Sequence, residues 1–282
     1  MKIAVTGAYG MLGRDLMAEL DQRGHDAVGL GHHQMDVTDA EAVKRVLGEL
    51  RPDAVIHCAA HTAVDAAESD KAACTAVNTA GTANVAAMCA DAGSKLIYVS
   101  TDYVFDGSGT KAWRPFDTPA PLNHYGHSKR GGEKEILKRT KNACIVRASW
   151  LFGAGGNNFV HTMLELFRGR SDIRVVDDQI GRPTYTRDFS LLLADMAESD
   201  AVGVFHASGT GTYASRYELA CETLNLYGST KSSVIPVSTD QYPTPAARPL
   251  NSRLDTSNLA EGGFGLLPDW HDALKRYLKE VL

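Results

Sequence analysis

The run KIAVTGAYGMLG near the start of the chain limits the possible folds more than any other stretch. Lys2 to Thr6 reads as a buried strand, and Gly7, Gly10 and Gly13 punctuate the turn that leads into a helix. Glycine at the first position lets the chain reverse tightly, at the second it lets the backbone approach a pyrophosphate, and at the third it lets the helix pack closely against the sheet. The open amides of that helix then face an anion. A glycine triplet also fits an ordinary strand-to-helix turn, but its place directly behind KIAVT favours a dinucleotide-binding turn.

The pattern continues as alternating strands and helices. Met11, Leu12, Leu16, Met17 and Leu20 give a first helix an apolar face ending near Gly24, and Asp26 to Leu30 reads as a second strand. Where a strongly NAD-selective site carries an acid after this strand, the chain has Gly31, His32 and His33. His32 is either a contact to a 2'-phosphate or a solvated surface histidine. Asp36 stands either beside an adenine or as a polar loop residue. Thr38 with Glu41 predicts a capping box for a helix to about Leu50. Ala54 to His57 and the almost wholly apolar Lys95 to Ser100 predict a third and a fourth strand, the latter buried on both faces. Helical stretches from about Asp70 to Ala92 separate them. Asn142 to Ala148 adds a further strand, so the expected class is α/β, a Rossmann-like doubly wound parallel sheet.

After residue 148 the regular crossovers stop. Helices are expected at Phe159 to Phe167 and from Pro268, with strands at Ile173 to Val176 and Gly203 to Ala207 between loops rich in Pro, Gly, Ser, Thr and Arg. The reading therefore divides the chain into an NAD(P)-binding domain, 1-148, and a mainly substrate-binding lobe, 149-282, from which segments can return to the core. A net charge of -5 gives no basic field for nucleic acid or anionic membranes. Five scattered cysteines without metal-ligand spacing read as reduced thiols, and no apolar run reaches bilayer length. The expectation is a cytoplasmic protein.

The polar run behind the fourth strand, Thr101, Asp102 and Tyr103, falls where open parallel sheets place their sites. Further on, Tyr125 and Lys129 lie one helical turn apart in HYGHSK. On one helix face the ammonium can lower the phenol's pKa and bond a nicotinamide ribose, and the phenol can exchange a proton with a carbonyl or alcohol. By itself this spacing is usually a surface pair. Combined with the glycine turn and with Thr101 upstream, which would polarise a substrate oxygen, it points to ketone or alcohol chemistry.

TGAYGMLG, CAAHTAVDAAE, STDYVFDG, YGHSK, DDQIGRPT and RPLNSRLD together resemble the extended short-chain dehydrogenases, and within them the dTDP-4-dehydrorhamnose reductases of the RmlD type. The resemblance runs over nearly the whole chain. It implies reduction of the C4 keto group of dTDP-4-dehydro-L-rhamnose by NADPH or NADH, with Tyr125 giving the proton, Lys129 orienting the ribose and Thr101 holding the C4 oxygen. It further implies cofactor contacts from Gly7, Tyr9, Gly10, Met11, Leu12, His32, Asp36, Val37, Ala59, Ala60, His61, Thr62 and Asn78. Val64, Asp102, Tyr103, Trp150, Asn158 and Arg248 would contact the nucleotide sugar, with Asp65 beside them. For each of these, packing, turn capping or a solvated loop is the plain alternative. A nucleotide-sugar epimerase or dehydratase, another 4-ketoreductase, and a non-catalytic NADP-binding regulatory subunit are the competing functions.

Three departures from the family pattern are His32 where members often carry a basic residue, Pro115 in place of a glutamate and His127 in place of a lysine. Some members of the family dimerise around magnesium held by acids, and the matching positions here are Asp15, Arg187 and His271. Guanidinium and imidazole are poor magnesium ligands, so the expectation is no metal and a monomer or weak homodimer.

Overall fold

The apolar runs segregate by side-chain parity. Ile3 and Val5 enter one buried cluster with Leu16, Leu20, Phe189 and Leu193, whereas Ala4 enters another with Val43, Leu47, Val85 and Tyr98. Period-two alternation sends successive side chains to opposite faces, so a strand apolar at every position must be covered by helices on both sides. The computed structural model describes all of residues 1–282 and has this arrangement.

The first half contains β1 (Lys2–Thr6), α1 (Met11–Gln22), β2 (Asp26–Leu30), α2 (Ala40–Leu50), β3 (Ala54–His57), α3 (Ala66–Ser69) and α4 (Lys71–Thr75). A π-helical turn, Ala76–Gly81, leads into α5 (Thr82–Ala92), followed by β4 (Lys95–Thr101), α6 (His124–Arg139) and β5 (Ala143–Ala148). The second half adds β6 (Leu151–Phe152), α7 (Phe159–Gly169), β7 (Asp172–Val176), β8 (Ile180–Gly181), β9 (Thr184–Tyr185), α8 (Thr186–Glu198) and β10 (Gly203–Ala207). It closes with β11 (Ala214–Ser215), α9 (Arg216–Tyr227), β12 (Ser233–Val237), α10 (Asn258–Glu261) and α11 (Trp270–Val281).

Six parallel strands form the main sheet in the order β10-β5-β4-β3-β1-β2. The chain winds outward from β1 to β2, then returns to place β3 on the other side of β1. The crevice between the carboxyl ends of β1 and β3 is therefore the switch point where such sheets bind ligands. The sixth strand, β10, comes from the second half of the chain, and α8 packs beside α1 in the same core. A separate cluster built from Phe152, Leu164, Phe167, Val175, Leu219, Trp270, Leu274 and Tyr277 forms the core of the second lobe. Burying each such side chain contributes about 2 kcal/mol.

Several boundaries differ from the sequence reading; β5 starts at Ala143, β7 starts at Asp172 and α7 runs on to Gly169. Asp39, not Thr38, caps α2, accepting from the amides of Glu41 at 3.0 Å and Ala42 at 3.1 Å. The Thr38 hydroxyl instead donates to Asp36, 2.8 Å away. An aspartate directly before the first helical residue reaches the open amides more easily than a threonine one position further out. The last helix starts at Trp270, with Asp269 accepting from the His271 amide at 2.8 Å, and Thr101 belongs to β4. No helix is long and apolar enough to cross a membrane.

Candidate active site

Gly7 leaves β1 with φ +67, and a Cβ there would come within 2.8 Å of the Ala59 nitrogen. A Cβ on Gly13 would stand 2.6 Å from the Ala8 Cα. The first glycine lets the turn lie flat on the loop after β3, and the third lets α1 sit tightly on that turn. No side chain caps α1, whose N-cap is Gly10, so its first amides remain open to the crevice at the positive end of the helix dipole. That cradle fits the pyrophosphate of a dinucleotide.

A cleft of about 1020 Å³ runs from this turn to the end of β4. The turn contributes Gly7, Gly10, Met11 and Leu12 to its wall, and the ends of β2 and β3 contribute His32, Asp36, Val37, Ala59, Ala60, Thr62 and Val64. Thr101, Asp102, Tyr103, Tyr125, Lys129 and Trp150 line the same cleft, so residues far apart in sequence meet around one space.

Five candidates lie off this wall. Tyr9 is exposed, its hydroxyl accepting from Gln34 at 3.3 Å. Asn78 is buried in the π-helical turn and exchanges two hydrogen bonds with the His61 backbone, 2.8 and 3.0 Å. It also donates to the Ser128 hydroxyl at 2.9 Å, which donates to the Tyr125 carbonyl at 2.7 Å. Asn78 and His61 thereby tie the loop after β3 to the helix carrying Tyr125. Asn158 caps α7, accepting from the His161 amide at 3.0 Å, and its neighbour Asn157 is the one that reaches the cleft. Arg248 is engaged by Asp65 through two bonds, 3.0 and 2.7 Å.

At the chemical centre, Lys129 is buried, donates to the Val99 carbonyl at 2.7 Å and lies 4.1 Å over the Tyr98 ring. Burial pushes its ammonium down to about 7, against the opposing pull of Glu133. Burial would raise the Glu133 carboxyl, but Arg147, bonded to it twice at 2.8 Å, helps to hold it below its ordinary value. The Tyr125 phenol is raised above its ordinary value by burial, opposed by the Thr101 hydroxyl. The Lys129 ammonium itself is directed at the Val99 carbonyl and the Tyr98 ring. A protonated phenol fits a proton donor better than a base. Burial pushes the Asp102 carboxyl up to about 6; its Oδ1 accepts from Thr101 at 3.1 Å, and its Oδ2 has no partner.

Two features of the cleft are absent from the sequence reading. Trp150 adopts φ +51, a left-handed shape costing about 1–2 kcal/mol for a residue with a Cβ. The Arg216 guanidinium lies 3.8 Å over the Trp150 ring. The capping box of Ser215 and Glu218 marks Arg216 as the first residue of a helix, the one signal that could have drawn attention to it.

This geometry agrees with the comparisons to known proteins. A dTDP-4-dehydrorhamnose reductase of Streptomyces griseus is 42% identical over 276 residues, covering 96% of this chain and 90% of the relative. A dTDP-4-keto-6-deoxy-D-glucose reductase of Streptomyces niveus is 37% identical, covering 96% of this chain and 94% of the relative. The crystal structure of a dTDP-4-dehydrorhamnose reductase from Bacillus anthracis in complex with NADP superposes with a TM-score of 0.95 at 39% identity, covering 99% of both chains. The family model described as the RmlD substrate binding domain matches residues 1–282, and the chain belongs to that family.

Proposed function

We propose that this protein reduces the 4-keto group of dTDP-4-dehydro-L-rhamnose to give dTDP-L-rhamnose, using NADPH or NADH. The observation that carries this reading is the convergence of Thr101, Tyr125 and Lys129 on the cleft that also receives the open amides of α1. The nicotinamide cofactor, when bound, supplies the hydride. Gly7, Gly10 and the first amides of α1 hold its pyrophosphate, Ala59, Ala60 and Thr62 lie along it, and Lys129 bonds its ribose. Thr101 holds the C4 oxygen, and Tyr125 donates its phenolic proton to the alkoxide that forms there. Val64, Asp102, Tyr103 and Trp150 enclose the sugar nucleotide.

His32 lies 3.8 Å from Asp36. No carboxylate follows β2 at Gly31 to His33 to repel a 2'-phosphate, and no arginine clamps one. Spectrophotometric oxidation of NADPH and of NADH with dTDP-4-dehydro-L-rhamnose tests both substrate and cofactor. Turnover with either, within about tenfold or 1.4 kcal/mol, is the expected result. Activity confined to other 4-ketosugar nucleotides, or a thousandfold preference for one cofactor, would contradict the respective part.

We further propose a monomer or weak homodimer without bound magnesium. Arg187 pairs with Glu280 and lies 3.9 Å from Asp15, while both oxygens of Asp188 are taken by Arg276 at 2.8 and 2.7 Å. Guanidinium groups thus already match these carboxylates, and no octahedral set of oxygens remains. Sedimentation with magnesium and with chelator should give the same mass; a dimer that dissociates on chelation would refute the proposal.

A further inference from the structure

The cleft contains a cation that proton and hydride transfer do not require. Arg216 is the first residue of α9, half-buried, and the capping box around it is closed at both ends: the Glu218 amide donates to Ser215 Oγ at 3.0 Å, and the Ser215 amide donates to the Glu218 carboxylate at 2.6 Å. Its side chain therefore leaves from a rigid point. The guanidinium is stacked 3.8 Å over Trp150 and lies 5.1 Å from the Phe159 ring. Stacking uses the face of the guanidinium and leaves its N–H donors directed outward in the plane.

Two other arginines of the lobe are committed to carboxylates, Arg248 to Asp65 and Arg276 to Asp188, while Arg182 and Arg253 lie over the Tyr213 ring. Arg216 forms no ion pair, and its polar neighbours are the Tyr103 phenol, which it hydrogen-bonds, the Asp102 carboxylate and the Arg248 guanidinium. Asp102, only 3% exposed, keeps Oδ2 without a partner on the same cleft wall. The unsatisfied, buried carboxylate oxygen costs free energy, as does the left-handed backbone of Trp150 beneath the guanidinium. The guanidinium donors not used by Tyr103 and the unpaired Asp102 oxygen on the same cleft wall suit a ligand that carries both an anion and hydroxyls.

We propose that Arg216 is a specificity-determining residue that binds the diphosphate of the nucleotide-sugar substrate, its plane held by Trp150; this rests on the nucleotide-sugar reading above. A planar fork of N–H donors matches phosphate oxygens two at a time. Asp102 Oδ2, an acceptor, disfavours phosphate and takes a hydroxyl of the hexose. The two groups therefore set the direction of the substrate, with diphosphate toward Arg216 and ring toward Thr101 and Tyr125.

Calorimetry with dTDP and with thymidine, on the NADP-loaded full chain, separates the phosphate contact from the base contact. Arg216→Met should weaken dTDP binding at least about tenfold, or 1.4 kcal/mol, and leave thymidine unaffected. Arg216→Lys should restore part of the loss, and in turnover the defect should fall on KM for the nucleotide sugar more than on kcat. If the Met variant does not fold, Arg216→Gln serves in its place. Equal losses for both ligands, or none for dTDP, would overturn the proposal and leave Arg216 as packing for Trp150. A wild type that binds no dTDP would overturn the nucleotide-sugar reading and this assignment with it.

Discussion

At the scale of single residues, the titration of Lys129 has a measurable consequence. Its folded value, pushed down to about 7, lies below an unfolded value of about 10.4. In the free enzyme the ammonium is therefore present below about pH 7 and lost above it, whereas Tyr125, raised by burial, stays protonated across this range. We predict that kcat/KM for reduction falls as pH rises through about 7, and that Lys129→Arg moves this limb upward. Stability runs in the opposite direction. Between the two values the unfolded chain holds a proton that the folded chain does not, so this group's contribution to stability rises with pH across that window. A rate profile flat to pH 9 would show that Lys129 keeps its charge. The Tyr-Lys spacing and the hydroxyl at the end of the fourth strand were legible because the chemistry demands those residue types at those distances. The direction of the Lys129 ammonium was not, because it depends on Val99 and Tyr98 from another strand. Arg216 escaped notice because an arginine in a loop-rich segment looks solvated until Trp150 and Phe159 are seen against it.

At the scale of elements, periodicity placed β1, β2, β3 and β10 with their observed ends, since each is a short apolar run bounded by turn residues. The register of caps was less legible. Thr38 and Asp39 are both good capping residues, and only the approach of the chain to α2 decides that Asp39 is used. The π-helical turn at Ala76–Gly81 carries no local signature either, because it differs from α-helix by hydrogen-bond register alone. It matters for the site, since it turns Asn78 toward His61 and Ser128 and so joins two walls of the cleft. Trp150 is the sharpest mismatch between local preference and structure: residue type argues against positive φ, and tertiary packing imposes it.

For the whole molecule, the doubly wound sheet was legible from strand and helix alternation, but the neighbour of each strand was not. Nothing in GVFHA says that β10 joins the main sheet beside β5, because parallel pairing is fixed by long-range packing. That pairing carries the chain from the sheet into the lobe where α9 presents Arg216 to the cleft. The central claim is that the cleft carries hydride to C4 of a nucleotide sugar while Tyr125 supplies the proton. The most direct measurement is mass spectrometry of the product formed with NADPH carrying deuterium at the transferable position, for wild type and Tyr125→Phe. Wild type should place one deuterium at C4 of dTDP-L-rhamnose, and Tyr125→Phe should bind NADP normally yet slow transfer by roughly 10²-fold or more. Binding of cofactor without any deuterium transfer by wild type, as a regulatory subunit would show, or near-wild-type transfer by Tyr125→Phe, would contradict the account.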